Sequence, residues 1–155
     1  MSEASQPVFS IEKIYVKDLS LEVPGAPQVF MQPEPPHLDV HIEQRSLRVD
    51  DALFEVTLVV TVTAKQGDKT HFLVEVSQAG IFQIRNVPEA DLAPLLGMVC
   101  PNVLFPYARE TVSDLVNRAG FPPVLLAPIS FEALYQQRAA QAAVQPGGPK
   151  IEVAH

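Results

Sequence analysis

Two alternating runs joined by a short turn decide the fold: "DALFEVTLVVTVTAKQGDKTHFLVEVSQAGIFQI" (residues 51–84). From Phe54 to Val62 every second residue is large and apolar, and mostly threonine and glutamate lie between them. Successive side chains of a strand point to opposite faces, so this pattern predicts a strand with one strongly apolar face. Gly67 and Asp68 provide the backbone freedom of a tight turn. The stretch therefore predicts two antiparallel strands of one sheet.

Two further strands are predicted upstream. Residues 38–42 alternate strictly, with their apolar side chains on one face, and residues 8–23 are rich in β-branched and aromatic residues. The proline-rich segment "PGAPQVFMQPEPP" (24–36) between them is expected to be neither helix nor a paired central strand. We expect it to form a stiff crossing loop. Three apolar residues of this loop are unusual for a solvated segment: Val29, Phe30 and Met31.

The C-terminal third changes to a helical period. Pro88 and the acids beside it predict the start of a short or bent helix. The "CPN" at 100–102 is expected to break the chain, so that a longer helix follows with Pro106 in its first turn and ends at Gly120. Ser130 is expected to cap a last helix. The sequence thus predicts an α+β fold, with a four-stranded antiparallel sheet followed by three helices packed on one face.

The composition favours a protein with a partner. Of the 155 residues 47% are hydrophobic and only 19% are charged, so we expect some apolar surface to be covered or left open for binding. The net charge of −7 and the pI near 5.0 argue against nucleic acid, which requires a concentrated basic face. They favour a basic partner or simple solubility.

The chain is expected to be a cytoplasmic protein of one domain. No apolar stretch is long enough to span a membrane, and "MSEASQPVFS" (1–10) lacks the features of a signal peptide. A single cysteine cannot form an internal disulfide. We expect a domain at residues 8–143, a flexible N-terminus at 1–7 and a flexible tail at 144–155.

The run "HFLVEVSQ" (71–78) has no cleanly polar face. Phe72, Val74, Val76 and Gln78 fall on one side, and Leu73, Glu75 and Ser77 fall on the other. A sheet covered by helices on one side should have one wet face. A second subunit packed on the outer face would explain the pattern; burial against the helices within one chain explains whichever face meets them.

No residue set predicts catalysis, a metal site or a cofactor. Cys100 is the one candidate thiol nucleophile, and it requires a histidine base. Of the four histidines only His41 and His71 lie on predicted strands, and both are expected to face outward; the others are His37 and His155. A buried apolar cysteine is the alternative interpretation. The phosphate-binding and dinucleotide motifs are absent, so we expect a protein that is not an enzyme.

Four blocks of the sequence resemble the SecB family of bacterial export chaperones: residues 14–30, 72–82, 100–110 and 121–135. The resemblance implies an α+β protomer assembled as a homotetramer, a dimer of dimers. It implies an ATP-independent holdase that binds unfolded preproteins in the cytoplasm, keeps them translocation-competent and delivers them to the SecA motor ATPase for Sec-dependent export. It implies no cofactor.

The resemblance also implies three sets of site residues. An acidic patch for the zinc-containing basic C-terminal tail of SecA consists of Asp18, Glu22, Leu73 and Glu75. Client-binding positions are Val29, Phe30, Leu38, Val40, Ile42, Phe121, Leu125 and Leu126. Positions tied to assembly are Phe72, Val74, Val76 and Gln78, where Val74 replaces a family cysteine.

Alternatives stay open at this stage. Asp18, Ser20 and Glu22 alternate with apolar residues, which is also the pattern of an ordinary half-buried strand with a solvated acidic edge. A second interpretation within the same family is a SecB-like chaperone dedicated to one client such as an antitoxin. A carrier of small apolar ligands and an enzyme using Cys100 are alternatives from other classes.

Overall fold

The computed structural model describes residues 6–144, with side chains to residue 142, and shows an α+β fold. The predicted flexible termini lie largely outside these described residues. Four antiparallel strands form one sheet in the order β1-β4-β3-β2. The strands are β1 (Val8–Glu22), β2 (His37–Asp50), β3 (Leu53–Gln66) and β4 (Lys69–Arg85).

The predicted hairpin forms the centre of the sheet. β3 and β4 are joined by Gly67 and Asp68, and Gly67 has the positive φ of 62° that such a turn favours. Val62 of β3 lies opposite Val74 of β4, so the apolar faces of the two strands coincide. The apolar alternation and the turn residues therefore agree on one register.

Strand β1 carries two bulges that reset its alternation. Its pairing with β4 shifts between Ile11 and Lys13 and again between Val16 and Asp18. Each bulge inserts one extra residue, so the side chains on either side of it point to opposite faces despite their spacing of two. As a result Val16 lies on the face that carries Gln78, and Asp18 lies on the opposite face.

The helical part differs from the prediction. Helix α1 (Glu89–Pro94), a π-helical turn (Leu95–Val99) and helix α2 (Cys100–Arg118) are continuous. The N–H of Cys100 donates to the carbonyl of Leu95, which is the five-residue spacing of a π turn. The expected break at "CPN" is therefore wrong, because the π turn carries the helix past Pro101. Pro106 lies inside α2, not in its first turn.

Helix α2 covers the centre of the sheet and ends as predicted. Its buried side chains pack on β3 and β4, and Leu104 and Val112 are fully buried among them. Gly120, with φ of 95°, follows the end of the helix. A connector of residues 121–130 leads to helix α3 (Phe131–Val144), where the Ala133 N–H donates to Ser130 Oγ at 3.1 Å. The predicted cap is confirmed.

Candidate functional site

The helices leave an apolar strip uncovered on the edge strand β2. Leu38, Val40 and Ile42 point to the helix side of the sheet, in register with β3 residues that are fully buried, such as Val62. Leu38 and Val40 nevertheless remain 41% and 43% exposed, and Ile42 is half-buried. We call these three residues the β2 strip. It is the outer margin of the core, open along its length.

An aromatic cluster closes one end of the β2 strip. The crossing loop forms a 3-10 turn (Gln28–Met31), which places the Phe30 ring 5.2 Å from the ring of Phe121. Phe121 also lies 4.9 Å from Phe72. A side chain at Gly120 would meet the Phe30 ring at 3.0 Å, so the close approach of the loop requires glycine there. The loop is thus held on the sheet by contacts between tilted aromatic rings.

His71 belongs to the same cluster, contrary to the prediction that it faces outward. It is 3% exposed, and its ring stacks on Phe121 at 6.4 Å. The register of β3 and β4 shifts between Ala64 and Lys65, opposite this residue, which turns His71 inward. Within the described residues its Nε2 has no hydrogen-bond partner. His41 is exposed as predicted, and its Nε2 lies 3.4 Å from Glu43.

The predicted client-binding residues divide into exposed and buried sets. Phe30 is exposed and Phe121 is half-buried, whereas Val29 beneath the loop is buried. In the connector Leu125 is 81% exposed, but Leu126 points into the core. An extended connector alternates its side chains, so neighbouring leucines face opposite ways. Val29 and Leu126 therefore support the surface from below.

The residues predicted for assembly lie in the core of the chain itself. Phe72, Val74, Val76 and Gln78 are all at most 2% exposed on the helix side of β4. In this arrangement these four side chains cannot contact a second subunit directly. The sequence pattern identified their face but not the helix layer that covers it.

A different strand presents the exposed apolar face. Along β1, four large side chains point to the helix side of the sheet but lie beyond the helices. We call them the β1 stripe: Phe9, Ile11, Val16 and Leu19. Their spacing is broken by the two bulges, so a period-2 analysis does not find them as one face.

The outer face of the sheet is mainly polar, which corrects the expectation of an apolar outer face waiting for a second subunit. Val59 of β3, an apolar residue on this face, is only 5% exposed among its neighbours. Tyr15 donates a hydrogen bond to Glu55, and Lys17 Nζ donates to the same carboxylate at 2.9 Å. Threonines and charged residues supply much of the remaining surface.

The four residues of the predicted acidic patch come together on this outer face. Glu22 lies opposite Leu73, and the next pair toward the centre of the sheet is Ser20 and Glu75. Asp18 follows opposite Ser77. Simple alternation keeps Asp18, Ser20 and Glu22 on this side, as predicted. Asp18, Glu22 and Glu75 are exposed on two adjacent strands and form a compact acidic surface.

Cys100 lies in the core and is not poised as a nucleophile. Burial raises the pKa of its thiol to about 12. A thiol in such surroundings is protonated at neutral pH, whereas the reactive species of a cysteine enzyme is the thiolate. Among residues 6–144, no three or more His, Cys, Asp and Glu side chains are grouped so that they could hold a metal ion, and no helix is long and apolar enough to cross a membrane.

Comparison with known proteins decides the family. The family model of the preprotein translocase subunit SecB matches residues 2–142. The chain belongs to the SecB family. A protein-export protein SecB of Chromobacterium violaceum is 68% identical over 138 residues, which cover 89% of this chain and 92% of that relative. One of Azoarcus sp. is 58% identical over 98% of this chain and 100% of the relative.

A solved SecB-like structure confirms the fold. It is the SecB-like chaperone of Mycobacterium tuberculosis in complex with an antitoxin peptide. The TM-score is 0.63 at 21% identity, over 79% of this chain and 88% of that one. SecB is a family of export chaperones and not a class of enzymes. Membership therefore supports a chaperone role in protein export.

Proposed function

We propose that this chain is an ATP-independent holdase that binds unfolded preproteins in the cytoplasm and keeps them competent for Sec-dependent export. The observation that carries the proposal is the β2 strip. Leu38 and Val40 form an open apolar surface in a chain of an export-chaperone family. Such a surface binds unfolded segments, which expose apolar side chains that folded proteins bury.

The proposed mechanism combines apolar burial with strand pairing. Each Å² of apolar client surface removed from water contributes roughly 25 cal/mol, so a long groove gains affinity without sequence specificity. β2 is an edge strand, and its backbone groups that face away from β3 are available to an extended client. Phe30 and Leu125 extend the apolar surface from the crossing loop and the connector. No step of this mechanism requires ATP.

The experiment measures suppression of aggregation of a chemically unfolded preprotein, without nucleotide. We expect Val40→Asp with Ile42→Asp to reduce client affinity at least about tenfold, because two carboxylates replace apolar contacts. Leu47→Asp is the matched control, since Leu47 is exposed on the opposite face of the same strand. Equal protection by the double variant and the wild type would place client binding elsewhere. Circular dichroism verifies that each variant is folded.

We further propose that the acidic patch binds the zinc-containing basic C-terminal tail of SecA. Three exposed carboxylates on adjacent strands attract a cationic segment, and Leu73 offers it an apolar contact. The general export role is preferred over service to a single client such as an antitoxin. All four patch residue types are present, and relatives that are 58–68% identical carry the protein-export name.

Charge reversal tests the patch. Asp18→Lys with Glu75→Lys should abolish binding of the SecA tail. Client holding should stay intact, because the β2 strip lies on the other face of the sheet. Calorimetry with the SecA tail peptide at two salt concentrations measures the effect. Asp39→Lys with Glu43→Lys reverses two charges on β2 of the same face and serves as the control. Unchanged tail affinity in the Asp18 and Glu75 variant would refute the assignment.

We propose that the protein assembles as a homotetramer, a dimer of dimers, and that the β1 stripe contributes a subunit contact. Four large apolar side chains on an edge strand form a surface that a soluble monomer rarely leaves open. In this proposal the four buried residues of β4, from Phe72 to Gln78 at every second position, affect assembly by positioning the neighbouring strand β1. They do not contact a second subunit directly.

A further inference from the structure

A cavity that is distinct from the β2 strip is lined by residues of β2, of α1 and the π turn, and of α3. Its volume is about 460 Å³, within the range of small-molecule sites. Its walls combine apolar and polar side chains. The lining residues used below are Gln44, Glu89, Leu92, Leu96, Tyr135 and Arg138.

Gln44 holds the cationic side chain of the cavity in place. Gln44 is 7% exposed at a position of β2 that faces the helices, and its Oε1 accepts a hydrogen bond from Arg138 Nη1 at 3.1 Å. This bond fixes the orientation of the amide. The Nε2 group is buried and has no partner among residues 6–142. Because Nε2 is fully buried, a ligand in the cavity does not reach it. Gln44 contributes by orienting the Arg138 guanidinium, whose other N–H groups remain available.

The positive charge of Arg138, beside Gln44, favours an anionic ligand. Arg138 is half-buried, and no described carboxylate forms an ion pair with it. Its guanidinium has five N–H donors, and the bond to Gln44 uses one of them. Arg45 also lines the cavity, but its charge is paired with Glu43 at 3.5 Å. The remaining N–H donors of this guanidinium match the two acceptor oxygens of a carboxylate.

The remaining walls define the rest of the ligand. Leu92, Leu96 and the ring of Tyr135 give the cavity an apolar side that suits an aliphatic chain. Glu89 lies exposed on a wall of the cavity, which disfavours a doubly charged ligand such as a phosphate ester. We propose that this cavity binds a carboxylate carried on an apolar chain. The carboxylate can belong to a free aliphatic acid or to the C-terminal residue of a polypeptide.

The inference is independent of the holdase proposal, because it concerns a different group of side chains and a ligand that need not be unfolded. Gln44 follows Ile42 on the same face of β2, so the cavity begins where the β2 strip ends. Binding of a small acid and holding of a client can be measured separately in the same variants.

The experiment is calorimetry on the full chain with decanoate and, as a matched probe without the carboxylate, decanol. We expect decanoate to bind at least about tenfold more tightly than decanol, because hydrogen bonds to a charged group carry the difference. Gln44→Leu and Arg138→Gln should each weaken decanoate binding by about tenfold. Arg118→Gln, on the exposed surface of α2, should leave it unchanged.

A second pair of probes identifies the source of the carboxylate. An apolar hexapeptide with a free C-terminus is compared with the same peptide carrying a C-terminal amide. Carboxylate-dependent binding of either the peptide or decanoate supports the proposal. Equal affinity for decanol and decanoate, or full binding by Gln44→Leu with native circular dichroism, would overturn it. If the wild-type protein binds decanoate but does not hold an unfolded client, only the holdase proposal is contradicted.

Discussion

At the scale of single residues, the cluster of Tyr15, Lys17 and Glu55 determines how the outer face responds to pH. Partial burial by itself raises the pKa of the Glu55 carboxyl, but hydrogen bonds from Tyr15 and Lys17 outweigh it, so the pKa lies below its ordinary value. Burial and the bond to Glu55 raise the pKa of Tyr15 to about 12. Each shift links the stability of the fold to pH.

The two shifts act at opposite ends of the pH scale. A lowered carboxyl pKa gives stability that is present at neutral pH and lost as the pH falls through the lowered value. A raised tyrosine pKa gives stability that is complete below its ordinary value of 10.0 and lost as the pH rises toward 12. Both contributions are therefore present from about pH 5 to pH 9.

We predict that Tyr15→Phe lowers the free energy of unfolding by about 1 kcal/mol at neutral pH, because it removes one hydrogen bond to a charged partner. The difference from the wild type should shrink above pH 10, where the unfolded wild-type tyrosine ionises. Urea denaturation at pH 7 and pH 10.5 measures it. Tyr107→Phe, an exposed tyrosine of α2, is the control. A difference that grows above pH 10 would contradict the assigned bond.

At the scale of elements, the contact between the π turn and α3 holds the last helix in place. A side-chain carbon at Gly97 would lie 2.8 Å from Cδ1 of Tyr135, which is closer than such atoms approach. Glycine is thus required where the two helices cross. The same tyrosine forms part of the cavity next to Gln44.

We predict that Gly97→Ala lowers the free energy of unfolding by about 1–3 kcal/mol through this overlap. In a Tyr135→Ala background the same change should be neutral or stabilising by up to about 1 kcal/mol, since alanine favours helix over glycine. Thermal unfolding of the four proteins of the cycle measures the coupling. Equal effects of Gly97→Ala in both backgrounds would show that the contact does not limit stability.

The sequence predicts elements well where local pattern and final structure agree. The β3–β4 hairpin follows from apolar alternation and Gly67, and the Ser130 cap follows from its hydroxyl. The helix through Pro101 could not be predicted, because proline ordinarily breaks a helix and the compensating π turn has no clear sequence signal. Strand β2 extends to Asp50, beyond the predicted residues 38–42, because its polar half is held by pairing with β3.

The candidate site is less predictable than the fold for a physical reason. Alternation assigns residues to two faces, but only packing decides which face the helices cover. Phe72, Val74, Val76 and Gln78 were correctly assigned to one face, and the burial of that face depends on α2, far along the chain. The inward turn of His71 depends on a bulge, which alternation does not indicate. Asp18 and Glu22 share the outer face by simple alternation, as predicted.

At the scale of the whole molecule, substitutions in the β1 stripe test the proposed assembly. Ile11→Glu with Leu19→Glu places two carboxylates in the proposed subunit contact, where an unpaired buried charge costs about 3–5 kcal/mol. We expect the proposed tetramer to dissociate into smaller species, measured as mass by analytical ultracentrifugation. Leu47→Glu with Leu125→Glu changes two exposed leucines elsewhere and should leave the mass unchanged. A mass of four chains for the stripe variant would contradict the contact.

We propose above all that this protein holds an unfolded chain on an open apolar surface without consuming ATP. Light scattering of the purified protein, alone and with a slowly folding unfolded preprotein, tests it most directly. We expect a mass of four chains that increases by one client in the absence of nucleotide, with refolding of the client slowed. A protein whose mass does not change when the unfolded preprotein is added, and that leaves its refolding unaffected, would contradict it.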